Sequence, residues 1–575
     1  YSRQKAKVDP MGPENTLGFL SGVLCGTPAL FCCRYVVVGK SPLTGGWGDA
    51  NSGGDFGPHM KFAGVDAVFF SGISDTPVYL LVENGKAQLK DARHLWGKDT
   101  YQTEATLQRE LGAETRVACI GPAGEKRSLI SGIMCNHGRA AARAGLGAVM
   151  GSKNLKAVAL RGYQPLPIFD KEGMDEVRKK YLPMMQGLQF FQNMKKYGTG
   201  NNAFTGPQQG STPIKNWAGS FPNDISNVEP LKGDYLLERY EKRYGCWHCP
   251  MACSGRLKAG KGEYEYEAGS RRPEYETLAV FGPMCLNNNL ESIIKSNDIC
   301  DRYGIDTIAT GTTIAFAMEC FEKGLLTGKD TDGLELTWGN HRAIVALTEK
   351  IVKREGIGDL LADGVKRAAE RIGKGSEQFA MHIGGQEIPV QDPKHGFAMV
   401  GTYKVDAQPG RHTRGSYRQN VLGMNNPTFT NDQVEGRGEA HKRVYLSQHA
   451  TSSAGACYFG WQAVHMDAWA PFFQLATGWK DFTWEEMLKT GERIAAIRRA
   501  FTVREGVLMD QWKLPERVLK PLPAGPTAGV GIEYFHEILA GVFMQALDWD
   551  TKTGRPSKKK LLELGLDDVA RDFSR

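Results

Sequence analysis

Three cysteines stand together as Cys246-Trp-His-Cys249-Pro-Met-Ala-Cys253, and a fourth, Cys457, stands far downstream in Ser452-Ser-Ala-Gly-Ala-Cys. Four thiolates are the ligand set of a cubane [4Fe–4S] cluster, and a near trio with a distant fourth is a common way to supply them. If all four hold one cluster, the fold must bring two remote stretches together, and the protein handles electrons. Zinc is the rival reading. Structural zinc usually takes two close pairs, and no second C-x2-C or H-x3-H partner follows here. His248 lies inside the motif, but ligation beside Cys249 would crowd a metal. The gap order, C-x2-C-x3-C, is the reverse of the C-x3-C-x2-C of radical-type cluster sites.

A chain of 575 residues is too long for one core, so several domains are expected. The net charge of +7 is small for this length, and no basic run or aromatic-interleaved basic stripe points to nucleic acid. The 69 glycines cluster between short strand-like runs, which reads as backbone approaching something closely. The remaining cysteines form no disulfide-like framework. Cys25, Cys119, Cys135, Cys285, Cys300 and Cys320 read as buried small hydrophobes or reduced thiols, which suits a reducing cytoplasm. No secretory leader is visible, and the most apolar run, 17–39, is interrupted by Gly22, Gly26, Pro28 and Arg34. Tyr1-Ser2-Arg3, without an initiator Met, reads as the interior of a longer chain, so an N-terminal segment is expected to be missing.

From Leu17 to Gly162 the pattern is β-rich. The runs 35–38, 67–70, 78–82, 117–120 and 157–160 are β-branched or aromatic, and Asn84-Gly85 is a type I′ hairpin signal. Beyond Pro165 and Pro167 the pattern turns helical. Leu290, Ile293, Ile294 and Ile299 recur at helical spacing, Gly304 supplies a C′ stop, and Asp306 caps a following helix that stops at Gly324. Ile383-Gly384-Gly385 and Asp392-Pro393 mark another boundary, and Thr483-Trp-Glu-Glu486 is a capping box. The division predicted is 1–165, 166–382 and 383–575.

Several further motifs carry chemistry only in context. Asp301-Arg-Tyr-Gly304-Ile-Asp306 is a C-cap glycine and an N-cap aspartate; its carboxylates and helix N–H groups could also bind a polar heterocycle. Ser452-Ser-Ala-Gly455-Ala-Cys457 repeats that spacing with a cysteine in the last aspartate's place, so a ligand held beside the cluster is expected. Gly145-Leu-Gly147-Ala-Val-Met-Gly151 is weak evidence for a dinucleotide loop; with Ser152, Lys153 and Lys156 it reads better as a phosphate-contacting turn for another cofactor. Glu276 and His412 are candidates for proton chemistry, although a lone Glu or His is more often structural.

Taken together these segments resemble the tungsten-containing aldehyde:ferredoxin oxidoreductase family. The resemblance runs from Pro10 to Arg575. It is carried by Lys40-Ser-Pro-Leu-Thr-Gly45, Asn51-Ser-Gly-Gly54, Gly145-Leu-Gly147 with 151–156, the cysteine trio, Pro273-Glu-Tyr-Glu276-Thr, Asp301-x-x-Gly304-Ile-Asp306 and Leu514-Pro-Glu-Arg517. It implies one tungsten bound by the dithiolenes of two pyranopterins, a linking Mg2+ and a [4Fe–4S] cluster held by Cys246, Cys249, Cys253 and Cys457. By the same resemblance Arg34, Asn51, Gly53, Arg143, Ala144 and Arg414 contact the pterins. Asp301, Gly304 and Asp306 form one pterin-binding turn, and Ser452 and Gly455 lie in the other. The active-site Glu falls on Glu276 and the His on His412.

The sequence departs from that family in three places. Ser452 stands where an Asp is expected. The E-x-x-H segments that hold an interfacial iron in some members are absent, with Lys295 and Asp298 in the first. An N-terminal Gly-Gly-Arg-Gly-like segment is missing. The fold expected is α+β: an N-terminal β-rich base for the pterins, then two mainly helical domains. The reaction expected is oxidation of an aldehyde, with water, to a carboxylic acid, Glu276 acting as general base and His412 stabilising the developing oxyanion. Electrons would leave to ferredoxin or an iron–sulfur or flavin subunit. A homodimer is allowed, no membrane span is expected, and Phe316, Tyr403 and Tyr458 are candidate cavity walls. Two alternatives stand: a low-potential reductase of aryl-CoA thioesters, and an electron-transfer subunit without a second metal.

Overall fold

The structure, a computed structural model, describes residues 1–416, 419–431 and 433–573. Ten strands fill the N-terminal part: β1 (Leu17–Ser21), β2 (Tyr35–Lys40), β3 (Trp47–Ser52), β4 (Ala67–Phe70), β5 (Val78–Glu83), β6 (Lys86–Asp91), β7 (Arg116–Cys119), β8 (Ile133–Cys135), β9 (Arg139–Ala141) and β10 (Leu155–Arg161). They form a four-stranded sheet in the order β3-β2-β1-β4 and a six-stranded sheet in the order β6-β5-β10-β7-β8-β9. The first is antiparallel throughout. The second is antiparallel except where β10 runs parallel to β5. Leu17, Phe19, Tyr35 and Val37 of the first sheet share one core with Leu80, Val82, Val158 and Leu160 of the second. The Asn84-Gly85 signal is a two-residue turn between β5 and β6, both residues at positive φ (49° and 82°), as a type I′ turn demands.

The rest of the chain is mainly helical. Leu290–Tyr303 ends at Gly304, and Thr307–Glu322 opens on Asp306, whose side chain accepts from the Ile308 N–H. Thr483 accepts from the Glu486 N–H at the head of Trp484–Arg504. Gly384 and Gly385 turn a short hairpin between His382–Ile383 and Gln386–Glu387. One large core gathers side chains from Ala203 to Val518 and takes in Ala123 and Ile130 of the N-terminal part. A second joins residues 24–32, the helices Lys171–Gln186 and Gln189–Tyr197, and side chains between 421 and 487. This α+β arrangement seats the helical layers directly on the β-rich base. Among the described residues no helix is long and apolar enough to cross a membrane.

The Gly145–Gly151 segment differs from its reading as a phosphate turn. Leu146–Ser152 packs backbone to backbone on the 121–125 turn, where a Cβ at Gly151 would lie 1.9 Å from the Gly124 carbonyl oxygen. Lys153 donates to the carbonyls of Gly12, Pro13 and Gly72, and Lys156 pairs with Glu125. The donors are consumed by the fold, and the glycines allow close packing.

Candidate active site

The cysteine trio occupies the connection of a β-ribbon, between β11 (Tyr240–Tyr244) and β12 (Ser254–Leu257), whose pairing runs from Tyr240↔Leu257 to Tyr244↔Ser254. The connection turns through His248 and Ala252 at positive φ (46° and 44°), and the Trp247 N–H anchors it to the Gly54 carbonyl at 3.0 Å. Cys457 reaches the same place from the C-terminal side, as the cap of the short helix Tyr458–Ala463. All four cysteines line one cavity of about 490 Å³. Cys249, Cys253 and Cys457 also pack against the same apolar cluster.

Two helix junctions form opposite supports of this cavity. After Leu290–Tyr303, Gly304 takes a left-handed conformation (φ 74°), Ile305 bridges to Ser131, and the Asp306 N–H donates to the Ile130 carbonyl at 2.9 Å. After Arg437–Ser453, Gly455 does the same (φ 87°), Ala456 bridges to Cys32, and the Cys457 N–H donates to the Phe31 carbonyl at 3.1 Å. Each junction thus docks on the β-rich base as a single antiparallel bridge. Gly455 also accepts from the Cys33 and Arg34 N–H groups (3.0 and 2.9 Å).

A basic side chain stands at each junction. Arg143 donates to Asp306 Oδ2 at 2.9 Å and to the Glu387 carbonyl at 2.5 Å. Arg34 meets no carboxylate among the described residues; its Nε donates to Asn51 Oδ1 at 2.7 Å. Asp301 is buried, accepts from Asn297 Nδ2 at 3.1 Å, and is pushed up to about 7, first by burial. Asp306 is also raised by burial, with Arg143 opposing. Between the junctions Glu276 faces His412, Oε1 to Nε2 at 3.4 Å. The Val390 N–H donates to Glu276 Oε2 at 2.9 Å and Gln391 Nε2 to Oε1 at 3.2 Å, so the carboxylate is aimed by its neighbours. Burial holds His412 below its ordinary pKa, with Glu276 opposing and Arg411 adding to the depression, so the imidazole is neutral at pH 7.

Eleven of the sequence-predicted residues line the cavity: Arg34, Asn51, Arg143, Cys246, Cys249, Cys253, Glu276, Asp301, Asp306, His412 and Cys457. The other six lie behind or beside its wall. A Cβ on Gly53 would meet the Cys246 sulfur at 2.9 Å. Ala144, at positive φ, accepts from the Ser41 hydroxyl. Gly304 and Gly455 are backbone supports, and Ser452 accepts from the Gly455 N–H through its carbonyl. Arg414 is buried in an ion network, paired to Asp49, which also receives Arg498 at 2.7 Å. Of the three expected wall residues only Tyr458 lines the cavity; Phe316 and Tyr403 are core side chains, and the Tyr403 hydroxyl donates to the Gln391 carbonyl.

Other residues at the site carry no local sequence signal. Cys33 lines the cavity, and its thiol hydrogen-bonds Cys246, holding Cys246 below its ordinary pKa; Arg139 and Arg34 act in the same direction. Arg139 is buried at the wall with Nε and Nη2 unpartnered. Arg411 lines the wall and donates to the Asp49 carbonyl at 3.0 Å.

Among the described residues no three His, Cys, Asp or Glu side chains gather tightly enough to hold a single metal ion. A four-iron cube is a wider body, bound at its corners by one thiolate each, so a ring of separated thiols suits it better than it suits zinc. None of the twelve cysteines is in a disulfide. The unpartnered guanidinium donors of Arg139 suit anionic groups such as the phosphates of a pterin cofactor. The donor set therefore fits both groups that the sequence implies.

Known proteins resemble this chain over most of its length. The family model "Aldehyde ferredoxin oxidoreductase, N-terminal domain" matches residues 1–162, and "Aldehyde ferredoxin oxidoreductase, domains 2 & 3" matches residues 176–566. The chain belongs to the aldehyde ferredoxin oxidoreductase family and is an oxidoreductase. It is 37% identical over 572 residues to a tungsten-containing aldehyde ferredoxin oxidoreductase of Pyrococcus furiosus, covering 97% of this chain and 91% of that protein. An aliphatic sulfonate oxidoreductase, WOR-like subunit, of the same organism is 29% identical, covering 99% and 91%. The active-site complex BamBC of benzoyl coenzyme A reductase, solved with 1,5-dienoyl-CoA, shares the fold: TM-score 0.83 at 24% identity, over 100% of this chain and 92% of that one.

Proposed function

We propose that this protein oxidises aldehydes to carboxylic acids with a tungsten bis(pyranopterin) cofactor, linked by Mg2+, and a [4Fe–4S] cluster. The observation that carries the reading is the Glu276–His412 pair in a cavity rimmed by Cys246, Cys249, Cys253 and Cys457. Aldehyde plus water gives carboxylic acid, two protons and two electrons. The four cysteines would hold the cluster, and the two junctions with Arg34, Asn51, Arg143 and Arg139 would hold the pterins. When bound, the tungsten supplies a Lewis acid and two-electron sink, and the cluster passes the electrons on singly.

The chain's own residues supply binding and proton handling. Glu276 lies within reach of the cavity with both oxygens oriented, and it accepts a proton from water or substrate as general base. His412, kept neutral by burial, offers an N–H toward a developing oxyanion and a second nitrogen for proton relay. Trp247 stacks on His248 over the cysteine connection (centroids 4.5 Å apart) and limits its hydration. The three segments 1–165, 166–382 and 383–575 divide the work as base, cluster-trio carrier and fourth-ligand carrier.

The test is the anaerobically purified full-length protein, analysed for tungsten and iron and assayed by aldehyde-dependent dye reduction. We expect both metals, with activity falling by about a hundredfold or more in Glu276→Gln. Reduction of an aryl-CoA thioester without aldehyde oxidation would overturn the substrate, and iron without tungsten would reduce the protein to an electron-transfer subunit.

A further inference from the structure

Two glutamates, Glu274 and Glu276, line the cavity two residues apart, and their surroundings differ. Glu276 meets two amide donors and His412. Glu274 meets cations. Its Oε1 accepts from Arg271 Nη2 at 2.7 Å, and its Oε2 accepts from Arg272 Nη2 at 3.0 Å and from the Thr199 hydroxyl. A carboxylate held between two guanidinium groups is a poor proton acceptor, so Glu274 is not a second base.

The donors on Glu274 reach three parts of the site. Arg272 is fully buried, and the same Nη2 donates to the Cys253 carbonyl at 2.6 Å. A Cβ on Gly198 would lie 2.0 Å from that Nη2 and 2.3 Å from the Cys253 oxygen, so bare backbone covers the contact. Arg271 Nη1 donates to the Gly138 carbonyl at 2.7 Å. The Arg271 carbonyl accepts from Asn297 Nδ2, which also holds Asp301. The Thr199 hydroxyl oxygen accepts from the Tyr275 N–H at 2.9 Å, at the head of the helix Tyr275–Phe281 that carries Glu276. The Tyr275 hydroxyl donates to the carbonyl of Val390, the residue whose N–H aims Glu276. One carboxylate thus ties together the cysteine connection, the first junction and the helix of the general base.

The contact at Cys253 has an electrostatic consequence. Reduction adds one negative charge to an iron–sulfur cube. A buried guanidinium on the main chain of a ligand favours that charge, and a carboxylate on the same guanidinium opposes it. We propose that Glu274 is a positioning residue: through Arg272 it sets the reduction potential of the centre held at Cys253, and through Thr199 it holds Glu276 in place. The proposal rests on the reading of the four cysteines as cluster ligands.

The experiment compares the holoenzyme with Glu274→Gln, Arg272→Met and the double variant, each titrated at controlled potential and read by paramagnetic resonance. Glu274→Gln removes the negative member and should raise the cluster potential. Arg272→Met removes the positive member and should lower it. The double variant should return most of the way to wild type. A merely structural role gives no such opposition of sign. Glu274→Gln should also lower kcat about tenfold or more while KM for the aldehyde changes little, and Glu274→Asp should restore part of that loss. Hydrogen exchange on the apoproteins tests the tie without any metal. Glu274→Gln should lose protection in residues 246–253 and in Tyr275–Phe281 together, whereas Thr199→Val, which keeps every charge, should loosen the helix alone. If Glu274→Gln does not fold, Arg272→Met and Thr199→Val carry the two tests. Single-variant potentials that move the same way, or an Arg272→Met potential that does not fall, overturn the electrostatic role. Unchanged exchange overturns the tie. A wild-type protein that binds no cluster overturns the cysteine reading instead and leaves the exchange result to judge Glu274.

Discussion

At the end of Leu290–Tyr303 and at the end of Arg437–Ser453 the chain makes the same move. A helix stops on a left-handed glycine, the next residue bridges to the β-rich base, and the one after caps a new helix. The chemistry at the two caps differs. The first ends in Asp306, neutralised by Arg143; the second ends in Cys457, and the nearby Arg34 has only the neutral Asn51. The two junctions share backbone geometry, but one cap carries a carboxylate–guanidinium pair and the other a thiol. Such a pair can cradle a ligand symmetrically and hand its electrons out on one side only.

Converting the second cap into the first is the harshest test of that difference. Cys457→Asp keeps a residue able to cap the short helix but removes one corner ligand, so iron content and the visible absorbance of the cluster should be lost while the far-ultraviolet circular dichroism stays. The reverse perturbation strands a buried cation. Asp306→Ala should destabilise the apoprotein by about 3–5 kcal/mol in denaturant unfolding, because Arg143 loses its counter-charge. Asp306→Asn should cost less, since the cap survives.

Acid should act on the two junctions with opposite signs. Asp301 is raised to about 7 by burial, Asp298 adding to the rise and Arg271 and Arg256 opposing it. Its folded form binds more protons than the unfolded chain below that pH, so acidification from pH 7 toward pH 4 favours the first junction. In the helix feeding the second, His449 and His441 are lowered to about 3, burial being the largest cause for both. His449 meets Arg498 and Asp406, and His441 meets the Gly415 carbonyl and stacks on Phe543. The unfolded chain binds those protons first, so stability there is lost as pH falls from about 6.5. Hydrogen exchange on the apoprotein at pH 7 and pH 5 should show helix Arg437–Ser453 losing protection relative to Leu290–Tyr303.

The smallest effect is expected at Ser452, which holds the place of Asp301. Its side chain makes no hydrogen bond among those described, so Ser452→Ala should change stability by no more than about 0.5 kcal/mol. A large loss would mean that the second junction uses this hydroxyl.

Much of the device was legible because it is local. The Gly304 stop, the Asp306 cap and the Asn84-Gly85 turn follow from φ preferences and side-chain reach within a few residues, and the cysteine trio sits in eight consecutive positions. The equivalence of the 301–306 and 452–457 loops was visible as spacing alone. What escaped depends on long-range approach. Cys33 looks like any apolar cysteine until the Cys457 loop settles on the same strand-like segment, and Arg139 gains meaning only because its Nε and Nη2 find no hydrogen bond among the described residues. Lys153 and Lys156 misled for the converse reason: their ammonium groups are already taken by carbonyls and Glu125. Phe316 and Tyr403 were expected on the wall, and burial on all sides puts them in the core instead.

Anomalous diffraction at the iron and tungsten edges, from crystals of the anaerobically prepared protein, addresses the central claim directly. The account requires one compact iron peak touching Cys246, Cys249, Cys253 and Cys457, and one tungsten peak between the two junctions. Iron centred away from Cys457, or a zinc edge at the cysteine trio, would contradict it.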